Sequence, residues 1–416
     1  MNYKSTGVKW LEEIPVQWEV RKLKYLSDLP IRNGLGESGD QDNPEWPRYI
    51  RITDIAGARS LRPDTFRSLP PEVASEAPVA QADILFAAVG ATVGKSYLHE
   101  NENGEACYAG YLVKFSPSPM CMASFISYWT ESQSYWDQIR IGSVQSTIPN
   151  FSASRYREIV APIPPLDEQR AIVAYLDRKT GEIDGLIGKQ QELINLLRER
   201  RGALISRSVT KGLDSGARVK DSGVEWLGEV PVDWVVRPLK SAIRSGKANG
   251  LLIKGQMYQE AEDGLFHGYS ASGQDIWVDV AEHEHPGIVL SAVGARCGKT
   301  FKADGKWTAI ANTHVFFAQS GNDRDFLWYL TNDENFWERS GTAQPFVSVS
   351  TTLRRLWCFP PIAEQREIAA HLDRETGKID ALTGKAEDAI ALLQEYRAAL
   401  ISAAVTGKVD VRGISP

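Results

Sequence analysis

Glycines, a lysine and small polar residues recur at matching places in this chain and could contact phosphates or the edges of nucleic-acid bases. Residues 90–95 and 294–299 each contain two glycines followed by a lysine. A phosphate-binding loop needs four residues between its glycines, whereas both segments have three. A strand, a tight turn and a second strand is therefore the preferred interpretation. Lys95, Lys299 and the neighbouring Arg296 are candidates for contact with a nucleic-acid backbone.

Two further groups of polar residues are candidates for reading bases. Gln and Asn can pair with adenine through two hydrogen bonds, and Ser and Thr can bind several base edges. An ordinary loop that leads into a strand is the alternative explanation. The candidates are Gln145, Ser146, Thr147 and Asn150 in the first half, and Tyr269, Ser270, Ser272, Gln274 and Gln344 in the second.

A local cluster of arginines lies between residues 48 and 67. Apolar and polar residues alternate over residues 49–55, which predicts a strand with one buried face. Its outer face would offer Arg48, Arg51, Thr53 and the adjacent Asp54 to phosphates and base edges, and Arg59 would extend the same basic surface. A solvated charged face explains this cluster equally well.

The charge balance limits how the chain could bind nucleic acid. The net charge is −6, from 47 basic and 53 acidic residues. Residues 1–165 are also slightly acidic, with 16 Lys and Arg against 19 Asp and Glu. A nucleic-acid surface must therefore be local, or a partner must supply further positive charge.

The cysteines and histidines give no sign of metal binding or catalysis. The four cysteines are far apart and the six histidines are scattered, without the spacing of a metal site or a nucleophilic triad. No run approaches the roughly 18 apolar residues of a membrane span, and the N-terminus lacks the apolar core of a signal peptide. We expect a soluble cytoplasmic protein with reduced thiols and no metal or cofactor of its own.

Two repeated segments must position these residues. Residues 163–184 recur without a gap 196 positions later, and residues 7–26 recur 216 positions later. The repeat of residues 7–26 contains paired tryptophans, Trp10 and Trp18 in the first copy and Trp226 and Trp234 in the second. We expect these tryptophans to pack each segment onto its domain. Between these segments the halves resemble each other only around the two glycine-lysine segments. Repeated flanking segments around different intervening sequences are typical of two related domains that recognise different targets.

A long helix is predicted from Leu166 to about Ser208. Leucine and isoleucine recur every seven residues, which is typical of a coiled-coil seam. The first seam contains Leu176, Ile183, Gln190, Leu197 and Leu204, with Leu186, Ile187, Leu193 and Ile194 in the same stripe. The second contains Leu372, Ile379, Ala386, Leu393 and Leu400, with Leu382, Ala389 and Ile390 beside it. An antiparallel pair of such helices, each about 60 Å long, would act as a spacer between two domains. A plain packing or dimerisation helix shares this geometry.

These motifs together resemble a known family. The chain twice contains the pattern GVxWLxxxPxxW, a divergent region, and then PPxxEQRxIxxxLDxxTxxID at the start of a long helix. This order is similar to that of the DNA-sequence-specificity subunits of type I restriction-modification systems. The resemblance covers essentially the whole chain.

The resemblance implies an α+β fold with two globular α/β target-recognition domains and two long antiparallel coiled-coil helices. It suggests recognition domains at residues 1–162 and 214–358 and spacer helices at residues 163–213 and 359–416. Each domain would read one half of a split, asymmetric site in double-stranded DNA. Two methyltransferase subunits would dock largely through the helices, and restriction subunits would join the full complex. The helix arginines with an expected role in partner binding are Arg170, Arg178, Arg366 and Arg374.

Catalysis is expected in the partners and not in this chain. S-adenosylmethionine, ATP and magnesium would belong to the methyltransferase and restriction subunits. A short segment at residues 43–46 is similar to the Asn-Pro-Pro-aromatic loop of amino-methyltransferases, but Glu45 replaces the second proline and no glycine-rich turn precedes it. A coiled-coil assembly scaffold without direct DNA readout is the alternative function.

Overall fold

The chain divides into two compact units, and each long helix contributes to both. The structure is a computed structural model that describes residues 2–100, 104–143, 149–247, 255–294, 296–333, 336–341 and 345–411. Unit 1 comprises Met1–Gln191 and Asp388–Pro416, and unit 2 comprises Glu192–Glu387. The predicted four-segment boundaries stay a prediction, because the compact units divide each helix between them.

In its described residues, unit 1 is built from short strands and four short helices that precede the first long helix. A four-stranded antiparallel sheet has the order β10-β9-β12-β4, and a mixed three-stranded sheet has the order β5-β11-β8. The strands are β1 (Tyr3–Val8), β2 (Leu11–Pro15), β3 (Glu19–Lys22), β4 (Arg32–Asn33), β5 (Arg48–Ile50), β6 (Ile55–Gly57), β7 (Ser60–Leu61), β8 (Pro78–Val79), β9 (Ile84–Ala87), β10 (Ser96–Leu98), β11 (Ala106–Tyr108), β12 (Leu112–Phe115) and β13 (Val160–Ile163). The helices are α1 (Pro71–Ala74), α2 (Ala123–Trp129), α3 (Gln133–Gly142), α4 (Ala153–Glu158) and the long α5 (Leu166–Lys211).

Unit 2 repeats the main sheet with the same relative order. Its four-stranded antiparallel sheet has the order β17-β24-β21-β22, and a second sheet has the order β18-β20-β19-β23. The strands are β14 (Val219–Asp221), β15 (Glu229–Pro231), β16 (Val235–Pro238), β17 (Ile243–Lys247), β18 (Met257–Tyr258), β19 (Phe266–Ser270), β20 (Gly273–Val278), β21 (Gly287–Ser291), β22 (Thr300–Ala303), β23 (Trp307–Ala309), β24 (Thr313–Ala318), β25 (Arg339–Ser340), β26 (Phe346–Val347) and β27 (Leu356–Phe359). The helices are α6 (Arg324–Thr331), α7 (Val349–Thr352) and the long α8 (Ile362–Val405). The expected α+β fold is confirmed.

Each main sheet packs its central strands into the core of its own unit. All four residues of β9 and all five of β21 are buried, as expected for continuous apolar runs in the middle of a sheet. Trp18 and Trp234, from the repeated N-terminal segments, are also fully buried. Trp226 packs less completely, because the residue is 54% exposed. It lies beside Trp357 at 4.4 Å between ring centroids.

Both long helices begin directly after a Pro-Pro pair, as predicted. Proline is tolerated there because the first helical amides have no partner within the helix. Each helix is followed closely by a glycine with positive φ, Gly212 at +76° and Gly407 at +75°. Glycine adopts this left-handed conformation without the steric cost of a Cβ atom, which allows the chain to leave the helix abruptly.

The predicted seam is buried where it meets the other long helix. Within unit 1, Leu176 and Ile183 of α5 share a core cluster with Leu400 of α8. Asp184 binds Arg397 at 3.1 Å in that unit, and Arg201 binds Asp380 at 2.9 Å in unit 2. The two ion pairs join equivalent positions of the repeat, and in each unit the helices run antiparallel.

Part of the predicted stripe faces outward. Leu186, Leu193 and Leu382 are 47%, 43% and 51% exposed, so their assignment to the buried stripe is wrong. These leucines follow a sevenfold position by three or ten residues. At 3.6 residues per turn they lie about 60–80° around the helix from that position. The sevenfold positions, together with Ile194 at 2% exposure, identify the packed face.

Candidate nucleic-acid interface

The two glycine-lysine segments form matched turns between antiparallel strands. Residues 90–95 connect β9 to β10, and residues 294–299 connect β21 to β22. In the first turn the amides of Val93, Gly94 and Lys95 donate to backbone carbonyls within the hairpin. The same holds for Cys297, Gly298 and Lys299 in the second. These amides are therefore unavailable to a phosphate chain, and the prediction of a strand-turn-strand unit is confirmed.

Each turn is held against a second loop of its own unit. The Gly90 amide donates to the Pro149 carbonyl at 2.9 Å, and the Gly294 amide donates to the Pro345 carbonyl at 3.0 Å. Backbone bridges join Val89 to Asn150 and Val293 to Phe346 beside these bonds. Both units thus bring a glycine-lysine turn and the end of the predicted polar loop to one place.

The predicted residues of unit 1 at this place are only partly described. Lys95 and Asn150 are exposed at the turn and at the adjoining loop. Gln145, Ser146 and Thr147 lie outside the described residues, as does Gln344 in unit 2. Their predicted role in base reading stays a prediction.

Unit 2 adds a third element, the hairpin between β19 and β20. The exposed Arg296 donates to the Ser272 carbonyl at 2.6 Å and so links this hairpin to the glycine-lysine turn. Ser270 Oγ donates to Asp275 at 2.6 Å and accepts from the Ser272 amide at 2.9 Å, which fixes the tip of the hairpin. Gln274 is exposed in the same hairpin, and Lys299 is exposed at the end of the turn.

Tyr269 differs from the other predicted residues of this hairpin. It is only 5% exposed, its hydroxyl donates to the Lys302 carbonyl at 3.1 Å, and its ring packs edge-on against Trp307. Burial raises the pKa of this phenol. Tyr269 therefore packs in the core beneath the hairpin. Ser270, Ser272 and Gln274 form the surface of the hairpin.

The predicted strand over residues 49–55 is wrong beyond Ile50. Strand β5 ends there, and a single 3-10 turn, Ile52–Asp54, follows. Asp54 is fully buried and accepts from the Arg51 amide at 2.8 Å, which closes this turn. Asp54 therefore does not belong to an outward polar face, although Thr53 is exposed.

The three predicted DNA-binding arginines of unit 1 are each engaged within that unit. Arg51 binds the Asp54 carboxylate at 2.9 Å and the Thr65 carbonyl at 2.9 Å. Arg48 donates to the Arg62 carbonyl at 2.7 Å. Arg59 binds Asp177 on α5 at 3.1 Å. These contacts brace the loop between β5 and β8, so a phosphate contact would have to share these guanidinium groups.

The glutamines of the repeated EQR motif have a structural role that the sequence did not indicate. Gln169 is fully buried; its amide NH₂ donates to the Met120 and Pro164 carbonyls, and its side-chain oxygen accepts from the Met122 amide at 2.8 Å. Gln365 makes the equivalent bonds in unit 2, accepting from the Asp323 amide at 2.8 Å. Each glutamine ties its long helix to the loop before α2 or α6. Its exact recurrence in both copies is the signal that could have revealed this role.

The neighbouring motif residues separate into packed acids and exposed arginines. Glu168 is 8% exposed, whereas Glu364 accepts from the Trp234 indole at 3.0 Å and has a pKa raised by burial. Arg170 and Arg366 have side chains 63% and 67% exposed, with local acidic partners. The other two predicted partner-binding residues, Arg178 and Arg374, are also exposed.

The part of the chain that the structure describes shows no group of three or more His, Cys, Asp or Glu residues suited to a metal ion. All four cysteines lie in described segments, are buried and form no disulfide with one another. None of the described helices is long and apolar enough to cross a membrane.

Comparison with known proteins shows which proteins this chain is similar to. Residues 15–195 match the family described as the type I restriction modification DNA specificity domain. A solved chain from a study of complex assembly and conformational transition of the type I restriction-modification system has the same fold. It has a TM-score of 0.74 and 16% identity, with coverage of 95% of this chain and 99% of that one.

Two curated relatives come from Methanocaldococcus jannaschii. The putative type I restriction enzyme MjaX specificity subunit is 26% identical over 56% of this chain, and the MjaVIII specificity subunit is 24% identical over 64%. The chain spans 54% of the first relative's length and 66% of the second's. The resemblance to the specificity subunits of type I restriction-modification systems is confirmed: residues 15–195 match the specificity domain of that family, and the curated relatives are such subunits.

Proposed function

We propose that this chain recognises a split, asymmetric DNA site, with one half read by each unit. The observation that carries this proposal is the matched pair of turns, each pinned to a second loop through the same backbone hydrogen bond. The side chains around the two turns differ: Lys95 and Asn150 stand in unit 1, and Arg296, Lys299 and Gln274 in unit 2. Two turns with the same backbone arrangement and different polar side chains are suited to reading different base sequences.

The charge of this surface suits a DNA duplex that is bound jointly by this chain and its methyltransferase subunits. Lysine and arginine at the turns supply phosphate contacts, which give affinity without sequence preference. The chain as a whole has a charge of −6, so its own phosphate contacts must be local. Methyltransferase subunits that close around the DNA would supply the remaining positive charge.

The chain also serves as the assembly scaffold in this proposal. Two methyltransferase subunits dock on the long helices, where Arg170, Arg178, Arg366 and Arg374 offer exposed cations, and restriction subunits join the full complex. The chain itself is non-catalytic. S-adenosylmethionine, ATP and magnesium are bound by the partners. Such a complex acts on cellular DNA, and the buried thiols fit a cytoplasmic location.

A footprinting experiment tests this function. The chain assembled with its methyltransferase partner is expected to protect two short sequences separated by an unprotected spacer, with an affinity that falls as salt rises. The chain alone, incubated with DNA and S-adenosylmethionine, is expected to leave the DNA unmethylated. An assembled complex that binds no DNA at any salt concentration would instead support the scaffold function without DNA readout.

A further inference from the structure

Two matched contacts join the short helix beside each main sheet to a long helix. In unit 1, the Tyr128 hydroxyl of α2 donates to Asp177 Oδ1 at 2.7 Å and lies 3.2 Å from Thr180 Oγ1. In unit 2, the Tyr329 hydroxyl of α6 donates to Asp373 Oδ1 at 2.7 Å and lies 3.1 Å from the equivalent threonine, Thr376. We call these two contacts the tyrosine anchors.

The repeated helix sequence supplies half of each anchor. The aspartate and threonine belong to the motif LDxxT, and a spacing of three residues puts both side chains on one face of a helix. The tyrosines also recur, in the pattern FxxYxT at Phe125 and Phe326. Each threonine hydroxyl donates to the carbonyl four residues earlier on its helix, which fixes its position.

A cation from outside the long helix completes the anchor in each unit. In unit 1, Arg59, from the turn between β6 and β7, lies 3.1 Å from Asp177 Oδ1 and 4.9 Å above the Tyr128 ring. In unit 2, Lys302 on β22 lies 3.1 Å from Asp373 Oδ1 and 5.2 Å from the centre of the Tyr329 ring. The two cations come from different places in the chain, yet they make the same pair of contacts.

The anchors are firm contacts. Tyr128 and Tyr329 are 5% and 3% exposed. Burial, helped by the hydrogen bond to Asp177, raises the pKa of Tyr128 to about 12, so its hydroxyl remains a donor near neutral pH. A hydrogen bond from a phenol to a carboxylate is charge-assisted and stronger than a neutral one. Each anchor therefore couples a recognition fold to its long helix through the repeated helix face, the tyrosine and a cation of the fold.

We propose that the tyrosine anchors are positioning sites that hold each recognition fold at a fixed orientation on its long helix and thereby set the spacing at which its half-site is read. This inference rests on the proposed function. One additional base pair in the spacer moves a half-site by about 3.4 Å and turns it by roughly 35° around the duplex. A fold held rigidly on its helix rejects this displacement, whereas a loosened fold accommodates part of it.

The test measures spacer strictness in cells that contain the chain and its methyltransferase partner. Methylation-sensitive sequencing gives the motif of the wild type, and then the fraction methylated at half-site pairs with the native spacer and with one base pair more or less. Tyr128→Phe is expected to lower the preference for the native spacer about ten-fold, the scale of one hydrogen bond to a charged group. Tyr25→Phe is the matched control because Tyr25 is 64% exposed, and it should keep the strictness of the wild type.

Variants of the cation provide a second test if Tyr128→Phe does not fold. Arg59→Lys should retain strict spacing because a lysine occupies this place in unit 2, whereas Arg59→Ala should relax it. Thermal unfolding establishes that each variant scored is folded.

The outcomes distinguish a failure of the positioning role from a failure of the proposed function. A wild type that methylates no split motif removes the proposed function. A wild type with strict spacing, together with folded Tyr128→Phe and Arg59→Ala variants that are equally strict, overturns the positioning role. A folded variant that loses methylation equally at every spacing overturns it as well.

Discussion

Gln169 illustrates how one polar side chain can join three segments of a fold. Its amide group satisfies two carbonyls and one amide of the loops around it, all away from water. Buried polar groups are costly when they lose their partners, because the desolvation cost remains. The glutamine thus specifies where α5 begins relative to the loop before α2.

Replacing Gln169 with alanine is expected to destabilise unit 1 by about 2–4 kcal/mol, since three backbone groups lose their partner. Chemical denaturation measures this change. Gln191→Ala is the matched control, because Gln191 is exposed on the same helix. Equal unfolding free energies for the two variants would show that the buried bonds contribute nothing.

His99 is expected to make the stability of unit 1 depend on pH. It is 4% exposed, its Nε2 lies 3.1 Å from the Gly104 carbonyl and its Nδ1 lies 3.3 Å from the Tyr97 hydroxyl. Burial lowers the pKa of His99 below its ordinary value of 6.5. The unfolded chain therefore takes up the proton first as pH falls, and the stability present above pH 6.5 is lost on acidification.

Thermal unfolding between pH 7.5 and 5.5 tests this dependence. The neutral variant His99→Gln should show a smaller fall in Tm over this range than the wild type. Parallel curves for the two proteins would assign the pH dependence to other groups.

The predicted residues show which parts of the site could be read from sequence. The glycine-lysine turns were predictable because their spacing excluded a phosphate loop and left a hairpin. The ion pairs of Arg51 and Arg59 were not predictable, because their partners Asp54 and Asp177 are identified only by the fold. An arginine cluster looks the same in sequence whether it faces DNA or braces a loop.

At the scale of elements, the long helices are the most predictable part of the chain. Apolar residues seven apart mark the packed face, and Pro-Pro and glycine mark the ends. The exposed leucines could not be separated from the buried ones by hydrophobicity alone. Short strands were harder: the alternation over residues 49–55 is interrupted because Asp54 caps a turn there.

A pair of leucines on α5 tests the assignment of its packed face. Leu176 is fully buried, whereas Leu186 is 47% exposed. Leu176→Ala is expected to cost about 2–5 kcal/mol through lost burial and a cavity. Leu186→Ala should change the unfolding free energy by less than about 0.5 kcal/mol. Similar losses in denaturation experiments would contradict this assignment.

At the scale of the whole molecule, duplication explains the organisation of the chain. Both units contain the same order of strands in the main sheet, the same glutamine contacts and the same tyrosine anchors. The divergent residues are placed at turns on these shared frames. Under the proposed function, such a chain is expected to change what one unit reads without altering the other.

The most direct test of this account is an exchange of residues 30–160 for the corresponding region of a type I specificity subunit. Methylation-sensitive sequencing of cells that contain the chimaera and the methyltransferase partner reads the complete motif. We expect one half of the split motif to change to that of the donor, while the other half and the spacer length stay the same. A change in both halves, or a motif that the exchange leaves untouched, would contradict two independent readers.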